Sequence, residues 1–194
     1  MIKSLLLIIS LLFFLSFVSC KVGDGPCSNS NTVAIKNKAT DIYLAIQRKR
    51  VTLNHLQQVW CLNDESTNAH KVLNRLGAQS FSSVVLYCGN SEFVMNVRDG
   101  VLENADVMIA SVNGNLPNTA KWSVVYQPSS STYSIRTTLA KDQILALSAR
   151  SLEGSEGITL TAFDEADTLQ QWLFQDVVSA ENPFYQNMKK RNKN

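Results

Sequence analysis

Few side chains in this chain of 194 residues could take part in catalysis. His55 and His70 are its two histidines, and no segment has the spacing of a zinc site, a nucleophilic serine motif or a phosphate-binding loop. The acidic run 164–167 spells a helicase-like tetrad, but without a phosphate-binding loop an acidic turn is the simpler interpretation. We therefore predict a protein that is not an enzyme and that uses neither a metal ion nor a cofactor.

The cysteines predict a disulfide bond, but the sequence leaves open which of them are paired. Removal of residues 1–20 would leave Cys27, Cys61 and Cys88, an odd number for an oxidising compartment. One disulfide and one remaining thiol are expected. The bond could close the 27 positions between Cys61 and Cys88, or it could use Cys27 to attach the N-terminal extension.

The N-terminus has the three parts of a secretory signal peptide. A positive start at Lys3 precedes a nearly uncharged run of Leu, Ile and Phe over residues 4–18, which ends in Val18-Ser19-Cys20. The run is too short to span a bilayer comfortably, so we expect cleavage near Cys20, secretion and no stable membrane span. Acylation of Cys20, as in a bacterial lipoprotein, is the alternative.

Composition favours one globular domain over a nucleic-acid-binding chain. Hydrophobic residues make up 45% of the sequence and charged residues 18%, with 18 basic against 16 acidic side chains. Residues 21–31 form an N-terminal extension and residues 181–194 a basic tail, in which four cations follow position 188. The body at residues 21–188 is left with a net charge near −3, so nucleic acid is not an expected partner.

An internal repeat is the strongest signal in the chain. A lag near 50 residues aligns segments 32–80, 82–130 and 132–178. Each segment has a four-residue apolar block, at 43–46, 94–97 and 144–147. A recurring position 25 or 26 residues after the end of the block holds Val72, Trp122 and Trp172, which we assign to a shared core. Alternating apolar stretches separated by turn residues predict four short strands per repeat. We therefore predict an all-β chain folded as a closed β-trefoil over residues 32–180.

The third repeat resembles a known family at Gln170-Gln171-Trp172, which matches the QxW signature of ricin-B-type β-trefoil lectins. At the matching positions the first repeat has His70 and Val72, and the second has Ala120 and Trp122. The resemblance implies a shallow sugar pocket in a repeat. Such a pocket uses an acidic residue in the apolar block, an aromatic residue twelve positions before the signature tryptophan, and Asn and Gln at the start of the signature.

Carried over to this chain, the resemblance leaves half a site in the first repeat. Trp60 takes the position of the aromatic platform and His70 that of the glutamine, with Gln58 and Asn68 as neighbouring polar groups. The second and third repeats have Ala110 and Leu160 at the aromatic position and offer no platform. At most one weak sugar site is expected, and packing of Trp60 in the core is the competing interpretation.

Two functions from different classes follow from these observations. The first is a secreted, lectin-like protein that binds glycans or glycoproteins through the first repeat. The second is a protein-binding trefoil, an inhibitor or a secreted effector, whose sugar sites have been lost and whose loops 114–118 and 127–131 contact a protein partner.

Overall fold

The computed structural model describes residues 32–64, 79–89, 91–98, 103–112, 116–137, 139, 143–150 and 158–177. The predicted signal peptide, the basic tail, Cys27, Asn68, His70 and Val72 lie outside these residues. Within them the chain is all-β, as predicted, and no helix has the length and apolar character needed to cross a bilayer. The strands are β1 (Thr32–Asn37), β2 (Tyr43–Gln47), β3 (Arg50–Asn54), β4 (Trp60–Asp64), β5 (Phe81–Cys88), β6 (Phe93–Val97), β7 (Val107–Ser111), β8 (Lys121–Gln127), β9 (Thr132–Thr137), β10 (Leu145–Ser148), β11 (Thr159–Ala162) and β12 (Trp172–Asp176).

Six of the strands form a closed antiparallel ring. Going around it, β1 pairs with β4, β4 with β5, β5 with β8, β8 with β9, β9 with β12, and β12 with β1 again. The other six strands form three hairpins, β2–β3, β6–β7 and β10–β11. Closure leaves the ring without a free edge, which a small β protein otherwise has to protect.

The ladder register relates the three repeats to one another. The last residues of β1, β5 and β9 are Asn37, Cys88 and Thr137, and each faces a tryptophan on the neighbouring strand. Asn37 faces Trp172, Cys88 faces Trp60, and Thr137 faces Trp122. Trp60 is therefore the first-repeat counterpart of the other two tryptophans.

This register corrects the predicted alignment of the first repeat, which gave the shared core position to Val72. Two connections are shorter in this repeat. Gln47 pairs with Arg50 across a hairpin loop of two residues, against nine between β6 and β7 and ten between β10 and β11. Five residues separate β3 from β4, against nine at each of the other two matching connections. The fourth strand of this repeat therefore begins about eleven residues sooner after the apolar block than in the other two. Aligning the repeats without gaps, at a constant offset near 50 residues, cannot detect such a shortening.

The three tryptophans share one core and one hydrogen-bonding pattern. Each is 0% exposed, and Trp122 and Trp172 occupy the core as predicted. Each indole N–H donates to a backbone carbonyl on the second strand of its repeat: Trp60 to Leu44 at 2.8 Å, Trp122 to Met95 at 3.1 Å, and Trp172 to Leu147 at 3.0 Å. The bond satisfies the polar end of a side chain that is otherwise buried among apolar groups.

Cys61 and Cys88 lie on neighbouring strands but on opposite faces of the ladder. Both are fully buried, and neither is a free thiol. Cys88 is directly opposite Trp60, so Cys61, one residue further along β4, projects to the other side. Two cysteines whose Cβ atoms point away from each other cannot be bridged without moving the backbone.

Neither cysteine is free and the two do not face each other, so the expectation of one disulfide and one remaining thiol is revised: we expect each to have its own partner. Cys20 and Cys27 are the remaining cysteines of the chain, so this pairing requires signal-peptide cleavage before Cys20 rather than after it. Cys27 precedes Thr32, which pairs with Cys61, by five positions and is the expected partner of Cys61. Peptide mapping of the secreted protein without reduction checks this, and intact mass gives the mature N-terminus. A peptide linking Cys61 directly to Cys88 would show that the predicted pairing is wrong.

Candidate functional site

Trp60 does not form the predicted stacking platform. Its side chain is 0% exposed and belongs to the main core, and its indole N–H is bonded to Leu44. A buried ring has no face to offer a ligand, so the packing interpretation holds for this residue. Gln58 is partly buried, with its amide nitrogen 3.8 Å from the Cys88 sulfur, while His70 and Asn68 lie outside the described residues.

The intact signature in the third repeat has a structural role in this conformation. Gln170 is 2% exposed, and its amide nitrogen donates to the Thr161 hydroxyl at 2.8 Å and to the Ala162 carbonyl at 2.7 Å. Its amide oxygen accepts from the backbone N–H of Asp164 at 3.0 Å. These bonds join the end of β11 to the turn before β12, and they use both amide donors of Gln170.

The second and third repeats have no aromatic platform at the positions that the resemblance assigns to the sugar pocket. In the second repeat, Asn96 faces Met108 and Ala110 faces Val94. In the third repeat, Leu160 is fully buried opposite Leu147.

A different aromatic residue lies on the surface of the first repeat. Tyr43 begins β2, is partly buried, and pairs with Lys36 of β1. Its hydroxyl accepts a hydrogen bond from the Gln57 amide nitrogen at 3.0 Å and donates to the Gln175 amide oxygen at 3.4 Å. We call Tyr43, Gln57, Gln175, Lys36 and Asp41 the Tyr43 cluster.

The cluster also holds a pair of opposite charges. The Lys36 ammonium lies 5.3 Å from the centroid of the Tyr43 ring and 2.5 Å from a carboxylate oxygen of Asp41. The hydrogen bond to Asp41 raises the pKa of Lys36 above its ordinary value. The Asp41 side chain is 81% exposed and can reach a ligand from solvent.

Gln57 has unused hydrogen-bonding capacity within this cluster. Its amide oxygen is buried and has no hydrogen-bond partner, although its amide nitrogen is bonded to Tyr43. A buried acceptor without a donor is costly, and a water or ligand hydroxyl would satisfy it. Gln57 is therefore the side chain of the cluster with the clearest need for a further partner.

The predictions from sequence missed this cluster because of the register error. With Trp60 as the core tryptophan, Gln58-Val59-Trp60 is a second QxW segment, and Gln57-Gln58 takes the positions that the resemblance gives to Asn and Gln. The segment itself was a visible signal. The positions of Tyr43 and Gln175 next to Gln57 could not be read from spacing, because they come from β2 and β12.

The described part of the chain shows no metal centre, since it has no group of three or more His, Cys, Asp or Glu side chains that could hold a metal ion. The Tyr43 cluster instead combines an aromatic ring, two amides, a carboxylate and an ammonium. This set suits hydrogen bonding to a polar organic ligand and packing against an apolar face of that ligand.

The chain matches no known protein family, and no curated protein matches it. Solved structures do resemble it in fold. A salivary protein from Culex quiquefasciatus, of the Cysteine and Tryptophan-Rich family, is 13% identical with a TM-score of 0.54, and the match covers 82% of this chain and 98% of that one. The SDF2-like protein from Arabidopsis thaliana is 10% identical with a TM-score of 0.51, covering 76% and 93%.

The ligand-binding domain of botulinum neurotoxin serotype D, solved in complex with N-acetylneuraminic acid, is 11% identical with a TM-score of 0.53. The match covers 75% of this chain but 40% of that chain's length. The toxin receptor-binding domains and the SDF2-like protein have β-trefoil folds. At these identities the likeness concerns the fold.

Replacing Trp60 by Ala should destabilise the protein as severely as replacing Trp172 by Ala. Each change removes a fully buried indole and leaves a cavity, with an expected loss of about 3 to 5 kcal/mol. Urea unfolding of both variants, followed by circular dichroism, measures the loss. A Trp60→Ala variant as stable as the wild type would contradict the assignment of Trp60 to the core.

Proposed function

We propose that this chain is a secreted, non-enzymatic β-trefoil that binds carbohydrate, and that it is a divergent relative of the ricin-B-type lectins. The closed ring of six strands, the three hairpins and the three equivalent tryptophans support the trefoil. Secretion rests on the sequence of residues 1–20.

The observation that carries the proposal is the Tyr43 cluster with the unpaired amide oxygen of Gln57. A sugar ring has an apolar C–H face that packs on an aromatic plane, and hydroxyl groups that both donate and accept. Tyr43 supplies the plane and the exposed Asp41 carboxylate accepts from one hydroxyl. The buried Gln57 oxygen would accept from a second hydroxyl once its side chain turns toward the ligand. Lys36 is charged and lies over the same ring, where it can donate to a sugar oxygen.

The proposed site lies in the first repeat, where the sequence also predicted it, but on different residues. Tyr43 replaces Trp60 as the aromatic group, and Gln57 replaces the predicted Gln58 as the main amide. A single shallow site of this kind typically binds a monosaccharide with a dissociation constant of about 0.1 to 1 mM. Useful avidity would then require a clustered glycan or several copies of the protein.

Glycan-array binding of the mature protein, with Tyr43→Ala and Gln57→Leu as parallel samples, tests the proposal. Both changes should abolish the signal, because the first removes the packing surface and the second removes the free acceptor with little change in side-chain volume. Tyr126→Ala is the matched control, since Tyr126 is another partly buried tyrosine, on β8, outside the cluster. Thermal melting of each variant confirms that it is folded.

Full signal from both cluster variants, or equal loss with Tyr126→Ala, would rule out the Tyr43 cluster as the site. If the wild-type protein gives no signal on the array at high concentration, the proposal that this chain binds carbohydrate is wrong.

A second candidate function, protein binding, is favoured by two exposed apolar side chains of the third repeat, which we group as one patch. Leu139 and Ile144 are 39% and 54% exposed and lie in the connection between β9 and β10. Ile144 accepts a backbone hydrogen bond from Phe163, whose ring lies 3.7 Å below the Arg136 guanidinium. Burial lowers the pKa of Arg136, and an arginine stacked on an aromatic ring beside apolar side chains is common at protein interfaces.

If a protein partner binds this patch, Ile144→Ser should weaken the complex by about tenfold or more, as expected for loss of a central apolar contact. Leu56→Ser is the control, since Leu56 is 59% exposed but lies in the first repeat. Affinity capture with the wild type, Ile144→Ser and Leu56→Ser, followed by titration of the captured partner, measures the effect. Equal binding by the wild type and Ile144→Ser would exclude the patch.

A further inference from the structure

The turn of the β2–β3 hairpin has an unusual pair of residues. Gln47 pairs with Arg50, so the loop consists of Arg48 and Lys49, and both have positive φ, at 50° and 67°. Two consecutive positive φ angles are those of a type I′ turn, which strongly prefers Asn-Gly. Long side chains are disfavoured in this left-handed region because their Cβ crowds the backbone.

Arg48 and Lys49 stand out from the other residues that adopt positive φ in the described part of the chain. Those residues are short and polar or glycine, which tolerate this conformation. They are Asp41, Ser83, Gly89, Asn104 and Ser131. The hairpin tip therefore carries two cations at positions where neutral, smaller residues would be more stable, and strain of this kind is concentrated at functional sites.

The tip is also a local concentration of positive charge. Residues 47–50 are all exposed, and three consecutive cations, Arg48, Lys49 and Arg50, lie on a body whose net charge is near −3. Arg50 lies 3.5 Å from the Asp106 carboxylate. Within the described residues, Arg48 and Lys49 form no ion pair, so their charges face solvent.

The backbone that carries these charges is held in place by the neighbouring hairpins. The Lys49 carbonyl accepts from the Ile109 N–H at 3.0 Å, and the Val51 carbonyl accepts from the Ile158 N–H at 3.0 Å. The cations therefore project from a fixed turn. A fixed arrangement lowers the entropy that is lost when an anionic ligand binds.

We propose that the Arg48-Lys49-Arg50 tip binds a sulfated polysaccharide, whose sulfate groups repeat along a chain. Several cations on a narrow, rigid turn match a ligand that presents several anions in a row. An anionic membrane is a poorer match, because residues 47–50 include no apolar side chain to enter the lipid.

This site is separate from the Tyr43 cluster. Tyr43 is the first residue of β2 and the tip follows its last residue, so the two sites lie at opposite ends of one hairpin. The inference does not rest on the proposed function. Binding at the tip can therefore be tested in a protein that lacks the Tyr43 site.

The test is binding of the full mature protein to heparin by titration and by salt elution from a heparin column. The double variant Arg48→Asn, Lys49→Gly removes two charges and supplies the residues that the turn prefers, so it should melt no lower than the wild type. Its dissociation constant for heparin should rise by about tenfold or more, and it should elute at lower salt. The double variant Lys189→Asn, Lys190→Gly removes the same charge from the C-terminal tail and should bind within about twofold of the wild type.

Three results would overturn the proposal: no heparin binding by the wild type, undiminished binding by the folded tip variant, or equal loss in the tail variant. Equal binding to desulfated heparin would also overturn it, because the sulfate groups would then not be recognised. Tip-dependent binding to phosphatidylserine vesicles without tip-dependent heparin binding would reassign the tip to membranes. Tyr43→Ala should leave heparin binding unchanged, which separates failure of this proposal from failure of the Tyr43 site.

Discussion

The rest of this structure depends on the burial of three tryptophans, one from each repeat, in one common core. Each indole lies at the start of a fourth strand and donates its N–H to a carbonyl of the second strand of the same repeat. The bond joins a hairpin to the ring of six strands, while the ring faces contribute to one common core. No repeat could bury its own tryptophan alone, so the three repeats must fold together.

This constraint determines where a ligand can bind. A tryptophan used as core cannot also be a stacking platform, and in the first repeat the packing of Trp60 leaves recognition to smaller surface groups. Tyr43 and Gln57 are placed side by side because the segment before Trp60 must return to the ring directly beside β2. In the third repeat the position that matches Gln57 holds Leu169, and Gln170, the counterpart of Gln58, is fully engaged with the end of β11.

The shortness of the β2–β3 hairpin is the main departure from threefold symmetry. It brings Trp60 closer to the apolar block of its repeat and creates a tight turn whose two residues are both cations in left-handed conformation. The first repeat therefore has a polar aromatic cluster at one end of its hairpin and a fixed positive tip at the other. Divergence of a repeat protein is expected in its loops, since the core positions are held by packing.

The sequence by itself determined the all-β class, the three repeats of four strands and the core positions of Trp122 and Trp172. These follow from local alternation, turn residues and a repeating large side chain, all of which can be read along the chain. It also directed attention to the first repeat, although it left the role of Trp60 open between a stacking platform and the core and gave the shared core position to Val72. Only the tertiary structure decided those points, because a two-residue hairpin shifts the register without leaving a gap that apolar periodicity can reveal. The meeting of Tyr43, Gln57 and Gln175 was decided in the same way, since hydrogen bonds between β2, the segment before β4 and β12 depend on ring closure and not on spacing in the chain.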